Sequence, residues 1–316
     1  MSYEPIFDEL ADTRFALDNG AGQMPAVGFG TLFEDPGVTA ETVTHALQSG
    51  FRQFDCAERF GNEALVGDAI KAFIESGKAQ REELFISSKL WNNNHHPERV
   101  LAAFEASCQR LRVDYLDCYL IHTPFAFRAG DDQYPMDAFG HVQYDSGVTL
   151  IDTWRAMERL VDKGRCKAIG LSNITLQALQ EVVAVARIKP AVVQVEAHPY
   201  LPQWELLEFC QQHGIVLQAY APLGHGLAPG IAKDPVLSQM ARRLQKTPAQ
   251  VALAWAVQRG TAFLTHSTSL GHIQQNIDIS TLPHRAMHEI RQDISTRIRF
   301  NSVAENGVHL FMSPAS

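Results

Sequence analysis

Three titratable residues of different chemistry close successive β-rich runs of this chain. Asp55 lies in Arg52–Ala57, Lys89 in Leu84–Leu90 and His122 ends Tyr115–His122. Singly, each has an ordinary reading: a capping aspartate, a solvated lysine, a hydrogen-bonded structural histidine. Brought to one place, they are a different matter. A lysine at the end of an apolar run needs a counter-charge once buried, and Asp55 can supply it. A Lys–Asp pair beside an imidazole suits tuning a proton donor and orienting a polar substrate group. Later runs also end on polar residues: Ser172-Asn173, Gln194 followed by His198, Tyr220, and His266-Ser267.

The elements that position these residues alternate. Val27–Thr31, Arg52–Ala57, Leu84–Leu90, Tyr115–His122, Lys167–Asn173, Ala191–His198, Val216–Leu223 and Ala262–Ser267 read as strands. Between them lie stretches of helical period, with apolar faces such as Ile151, Trp154, Met157, Leu160 and Val161, or Leu176, Leu179, Val182, Val183 and Ala186. Gly50, Gly77, Gly164, Gly214 and Gly260 each stand where a helix stops. Thr247-Pro248-Ala249-Gln250 reads as an N-cap, an N1 proline and a capping-box glutamine. Eight strand–helix repeats predict a closed (β/α)8 barrel, whose chemistry sits at the C-terminal ends of the strands. A doubly wound sheet is the second choice, because Gly28-Phe29-Gly30 is followed by Phe33 where a third glycine belongs. Asn19-Gly20, between apolar stretches of residues 15–27, signals a hairpin able to close the barrel's N-terminal end. Residues 124–146 read as a long loop and residues 295–316 as an aperiodic tail. A single domain over residues 1–316, with its core at about 13–295, is expected.

Composition narrows the class of function. The 316 residues carry a net charge of −8, are 46% hydrophobic and 20% charged, and argue against a nucleic-acid or anionic-membrane partner. The longest apolar run, Val251 to Val257, is too short to cross a bilayer. The acidic N-terminal residues Glu4, Asp8, Glu9 and Asp12 do not read as a secretory signal. The five cysteines, Cys56, Cys108, Cys118, Cys166 and Cys210, are scattered and form no CxxC pair, as expected of buried thiols in a reducing cytoplasm.

In order along the chain, these residues resemble a known family. Residues 24–31, Met-Pro-Ala-Val-Gly-Phe-Gly-Thr, look like the opening motif of the aldo-keto reductases. Residues 50–63, which include Asp55, resemble their catalytic aspartate–tyrosine segment. Lys89-Leu90-Trp91 and Leu120-Ile121-His122 resemble the lysine and histidine motifs. Gly170-Leu171-Ser172-Asn173, Gln194-Val195-Glu196 and Tyr220-Ala221-Pro222-Leu223-Gly224 resemble the nicotinamide-side motifs. The resemblance implies a (β/α)8 barrel that reduces aldehydes and ketones with NADPH or NADH, monomeric and without a metal. It implies Ser172, Asn173 and Gln194 around the nicotinamide carboxamide, Tyr220 stacked on its ring, and the backbone of Gly30, Thr31 and Leu32 beside the cofactor. Pro222, Leu223, Ser267, Thr268, Gln275 and Asn276 fall on further cofactor positions. Trp91, His122 and Thr123 fall on the substrate side, with Thr123 where the family often has tryptophan. Substrate choice is implied to lie in the loop after the fourth strand, in residues 224–233 and in the tail.

Two positions depart from the pattern. Phe60 stands where the family carries its proton-donating tyrosine, while Asp55, Lys89 and His122 are retained. His266 and His272 stand where NADP-preferring members carry a lysine and an arginine, and a histidine is only fractionally charged near neutrality. The leading expectation is a nicotinamide-dependent oxidoreductase with its proton step impaired or rerouted, acting on a small carbonyl or imine. The alternative is a non-catalytic nicotinamide-binding redox sensor or scaffold.

Overall fold

The computed structural model describes residues 8–301, 304–305 and 308–309. The first seven residues and the remainder of the tail lie outside the described residues.

A two-stranded antiparallel hairpin comes first: β1 (Arg14–Ala16) pairs with β2 (Gln23–Pro25). The expected hairpin is therefore present, but its connection is wider than an Asn-Gly turn needs. A 3-10 turn over Asp18–Gly20 fills it, and Leu17 N–H closes it on the Gly22 carbonyl at 2.9 Å. Eight parallel strands follow: β3 (Val27–Gly30), β4 (Gln53–Asp55), β5 (Phe85–Leu90), β6 (Leu116–Ile121), then, after a small hairpin of β7 (Ala126–Phe127) and β8 (Tyr144–Asp145), β9 (Cys166–Ser172), β10 (Val192–Glu196), β11 (Val216–Tyr220) and β12 (Ala262–Thr265). They close as a barrel in the order β3-β4-β5-β6-β9-β10-β11-β12, with β12 paired back to β3. The expected barrel is the fold, and the doubly wound alternative is excluded by closure. Seven of the eight strands are shorter than their apolar runs, and β9 has the expected length but starts one residue earlier. The terminal residues, such as His122, Asn173 and His266, leave the ladder at the rim. The stretch read as a plain loop after β6 carries the β7–β8 hairpin, whose two-residue strands are too short to show a period.

The hairpin plugs the barrel floor. Leu17 and Met24 pack with Phe85, Val192, Val216 and Ala262, the first residues of their strands. Parallel strands covered on both faces read as continuous apolar runs, and β5 and β6 are buried throughout. Gly170 in β9 is required by strand proximity: a Cβ there would sit 2.2 Å from the Val192 carbonyl oxygen of β10.

The helical layer comprises α1 (Thr39–Gln48), α2 (Glu63–Glu75), α3 (Pro97–Leu111), α4 (Leu150–Asp162), α5 (Leu176–Val185), α6 (Trp204–Gln212), α7 (Pro235–Leu244), α8 (Pro248–Gln258), α9 (Leu270–Ile277) and α10 (His284–Asp293). Trp154, Met157 and Leu160 are the buried core of the α4 face, and Leu179 and Val182 of the α5 face; the outer members of each face are half-buried. The five helix-stopping glycines all take left-handed φ, from +67° at Gly214 to +103° at Gly50. The capping box of α8 forms as read: Gln250 N–H donates to Thr247 Oγ1 at 3.1 Å and Thr247 N–H to Gln250 Oε1 at 2.9 Å. Val251–Val257 are buried all round that helix, packed over by α7 and α9 as well as by β12. Among the described residues no helix is long and apolar enough to cross a membrane, and all five cysteines are buried and unpaired.

Candidate active site

Asp55 is the hub of the upper barrel interior. It ends β4, and the alternation of side chains along β5 sends both Ser87 and Lys89 towards it. Its Oδ2 accepts Lys89 Nζ at 2.5 Å; its Oδ1 accepts Ser87 Oγ at 2.9 Å and Gln194 Nε2 at 3.0 Å. Lys89 is 1% exposed and Asp55 3%, so the charges are withdrawn from water together. Lys89 has three N–H bonds to place. One goes to Asp55, a second to the Cys56 carbonyl at 2.9 Å, and the ammonium lies 5.0 Å from the centre of the Phe60 ring. Its remaining valence therefore meets a π face. Phe60 ends the short turn Glu58–Phe60, and Gly61 holds a left-handed φ of +71° just after it.

His122 leaves β6 at the rim, its N–H donating to the Leu90 carbonyl at 3.1 Å. Its ring meets Trp91 edge to face at 5.1 Å and Phe60 at 6.0 Å. Nδ1 is buried with no hydrogen-bond partner. Burial, then the charge of Lys89, then that of Arg59, holds this imidazole well below the usual histidine range, so it is neutral at pH 7.

Opposite, Asn173 follows β9 in a left-handed conformation, φ +53°, which asparagine tolerates better than most residues. This turn lets its Nδ2 donate to the His122 carbonyl at 2.9 Å, while its Oδ1 accepts the Tyr220 hydroxyl at 2.7 Å. Burial raises the Tyr220 phenol, keeping it a donor. Gln194 spends its amide nitrogen on Asp55 and on Gln218 Oε1 at 2.8 Å. Its own Oε1 takes no hydrogen bond from the described residues.

These groups line a cavity of about 410 Å³ whose walls include Gly30, Thr31, Leu32, Trp91, Thr123 and Ser172. The Thr123 hydroxyl is committed to Asn92 Oδ1 at 2.6 Å, so it presents its methyl side to the cavity rather than a donor. A second cavity, about 360 Å³, continues from the first along Ala221, His225, Leu264 and His266. Pro222, Leu223, Ser267, His272, Gln275 and Asn276 line it. Thr268 does not: it is exposed, and lines neither cavity. The buried Thr265 Oγ1 on this arm has no partner. His266 borders solvent, and its imidazole is held below the usual value by partial burial and then by His225. The strap of residues 298–301 reaches the first cavity, with Asn301 in its wall. Glu196, at the end of β10, accepts the N–H groups of Phe300 and Asn301 at 2.7 and 2.8 Å and His198 Nε2 at 2.8 Å.

Among the cavity residues that sequence reasoning does not single out, four are polar groups able to meet a ligand: Arg59, Tyr134, His225 and Asn301. Arg59 adjoins Phe60, so its neighbourhood was readable but its direction was not. The other three come from loops whose path has no sequence period.

The sequence model of the Aldo/keto reductase family matches residues 26–293. The chain is 43% identical over 272 residues to "Aldo-keto reductase family 1 member A1" of Gallus gallus, covering 84% of this chain and 83% of that protein. It is 43% identical to its Mus musculus counterpart over 265 residues, 81% of each. The solved aldose reductase of Schistosoma japonicum superposes with a TM-score of 0.85 at 38% identity, covering 91% of this chain and 93% of that one.

Proposed function

This chain belongs to the aldo/keto reductase family and is an oxidoreductase, and we propose that it transfers a hydride from NADPH or NADH to a small carbonyl or imine, with its tyrosine acid replaced by Phe60. The observation that carries the reading is the undisturbed Asp55–Lys89–His122 cluster beside two continuous cavities.

The residues present fit a nicotinamide dinucleotide. A primary amide needs an acceptor and a donor, and the free Gln194 Oε1 and the Ser172 hydroxyl supply them. The Tyr220 ring borders the same space, suited to stacking. Gly30 has room for close backbone approach, with the nearest atom to a Cβ there 3.7 Å away. The second cavity has the orphaned Thr265 hydroxyl and the pair His266 and His272 for the distal end. When bound, the reduced nicotinamide supplies the hydride.

The chain's own groups then act on the substrate oxygen. His122 leaves Nδ1 sealed without a partner, and an unpaired lone pair costs less than an unpaired buried N–H. The ring proton therefore sits on Nε2, able to donate to a carbonyl oxygen. Lys89, fixed by Asp55, adds positive potential where negative charge develops, in a site with little water to screen it. Phe60 excludes water above Lys89 but has no proton to give. A carbonyl must then take its proton from His122 or from water, whereas a pre-protonated iminium brings its own. The test is a single turnover of prebound NADPH with a reactive aldehyde and, separately, with an iminium. Oxidation by the iminium at a rate well above that by the aldehyde is expected. Failure of both, with NADPH tightly bound, would transfer the chain to the non-catalytic reading.

A further inference from the structure

One cation in the substrate cavity makes no hydrogen bond or ion pair to Asp55, Lys89 or His122 among the described residues. Arg59 stands beside Phe60 in the same turn and reaches over the rings of Trp91 and Tyr134, its guanidinium carbon 5.6 and 5.8 Å from their centres. Its Nε donates to the Tyr134 hydroxyl at 2.5 Å. Both terminal nitrogens remain uncommitted among the described residues.

Resting on the carbonyl-reductase reading above, we propose that Arg59 makes this site selective for carbonyl substrates that also carry a carboxylate on a flat apolar frame. The acids near the cavity are all engaged elsewhere. Asp55 is held by Lys89, Glu58 accepts from Asn94 at 3.0 and 3.2 Å, Asp131 pairs with Arg99 at 3.2 Å, and Asp132 accepts the Tyr134 N–H at 3.0 Å. Arg59 is thus an exposed cation at the cavity wall with no ion pair among the described residues, beside the aromatic rings of Phe60, Trp91, Phe125 and Phe127. Its charge reaches the reacting end, being one of those that disfavour protonation of His122. Two free guanidinium nitrogens match the two oxygens of a carboxylate in a planar fork. The bond from Nε to Tyr134 and the ring beneath fix the fork's direction, so little freedom is lost when the anion arrives. A neutral substrate of the same shape leaves both nitrogens to water.

The test compares 4-formylbenzoate with 4-formylbenzamide, which share frame and aldehyde but differ in charge. Equilibrium binding is followed by quenching of tryptophan fluorescence, on the chain alone and loaded with NADP+, so no turnover is involved. The carboxylate is expected to bind about 2- to 5-fold more tightly, the range for an ion pair at an exposed guanidinium. Arg59→Gln should bring the ratio of the two affinities near one, and Arg59→Lys should restore part of it. A ratio near one in the native chain overturns the proposal. So does a preference that survives Arg59→Gln, which would hand the charge reading to another cation. Loss of the reductase reading looks different: both aldehydes bind with their ratio intact, while neither they nor an iminium oxidise prebound NADPH.

Discussion

Restoring the missing oxygen by Phe60→Tyr should raise aldehyde reduction by about 10²–10⁴-fold, the usual contribution of a positioned general acid. At about 1.36 kcal/mol per decade, that is about 2.7–5.4 kcal/mol off the barrier. The structure says why the gain should be realised. Lys89 is already fixed by Asp55 at 2.5 Å and Cys56 at 2.9 Å, and the Phe60 ring already lies over its ammonium. A phenol there would lose its proton next to a cation, which favours the charged form. The cation–π contact, worth about 0.5–2 kcal/mol, is kept by a tyrosine ring. The added oxygen faces a cavity of about 410 Å³, so no repacking is demanded. The assay is single-turnover oxidation of prebound NADPH against pH. In the native chain the nearest proton source is His122, which is held neutral by burial. Its aldehyde rate should therefore keep rising as the pH falls below about 6.5. With Phe60→Tyr the rate should instead fall as the pH rises towards the phenol's own pKa, below about 10 beside Lys89. Reduction of an iminium should be nearly the same in both proteins. No gain on aldehydes, or an equal gain on aldehyde and iminium, would rule out a phenol at this position as the missing acid.

If His266 and His272 grip a 2′-phosphate, NADPH affinity should rise relative to NADH as the pH falls below about 6.5, and the rise should begin lower than usual because burial and His225 disfavour a charged His266. Isothermal titration of both cofactors checks this, and His266→Ala with His272→Ala should flatten the difference. Glu196 is pushed up by burial, but its hydrogen bonds from His198, Phe300 and Asn301 prevail and hold it below the usual carboxylate value. A depressed folded pKa gives stability that is complete above the unfolded value, about 4.3, and is lost as pH falls through the folded one. Glu196→Gln should mimic that loss at neutral pH, seen as faster hydrogen exchange at the Phe300 and Asn301 amides, with the barrel amides unchanged. Gly170→Ala should destabilise by at least the 1–3 kcal/mol typical of overpacking, because the obstacle is the Val192 backbone rather than a movable side chain; urea denaturation measures it.

Much of the site was legible because barrel geometry converts strand ends into neighbours. Asp55 and Lys89 were readable as a pair from position alone, as polar residues closing adjacent apolar runs. The hub role of Asp55 was not, since Gln194 joins it from 139 residues away through a side-chain rotamer that no period encodes. His122 was readable as a rim residue, but its neutrality comes from three separate elements crowding one ring. The Arg59–Tyr134 contact spans 75 residues and depends on the path of an aperiodic loop. Thr123 is legible as a substrate-side position, but the commitment of its hydroxyl to Asn92, 31 residues away, is not. Thr268 is exposed just after β12 and lines neither cavity, a detail that its neighbours in sequence do not reveal.

The proposed function requires that hydride reach the substrate carbon with Phe60 in the place of a tyrosine acid. The direct measurement loads the native chain with nicotinamide cofactor carrying deuterium at the transferring C4 position, supplies a pre-protonated iminium, and locates the label in the product. Deuterium on the former iminium carbon, appearing in one turnover and at nearly the same rate with Phe60→Tyr, is the predicted result. An unlabelled product, or a cofactor that stays bound and reduced in both proteins, would contradict it.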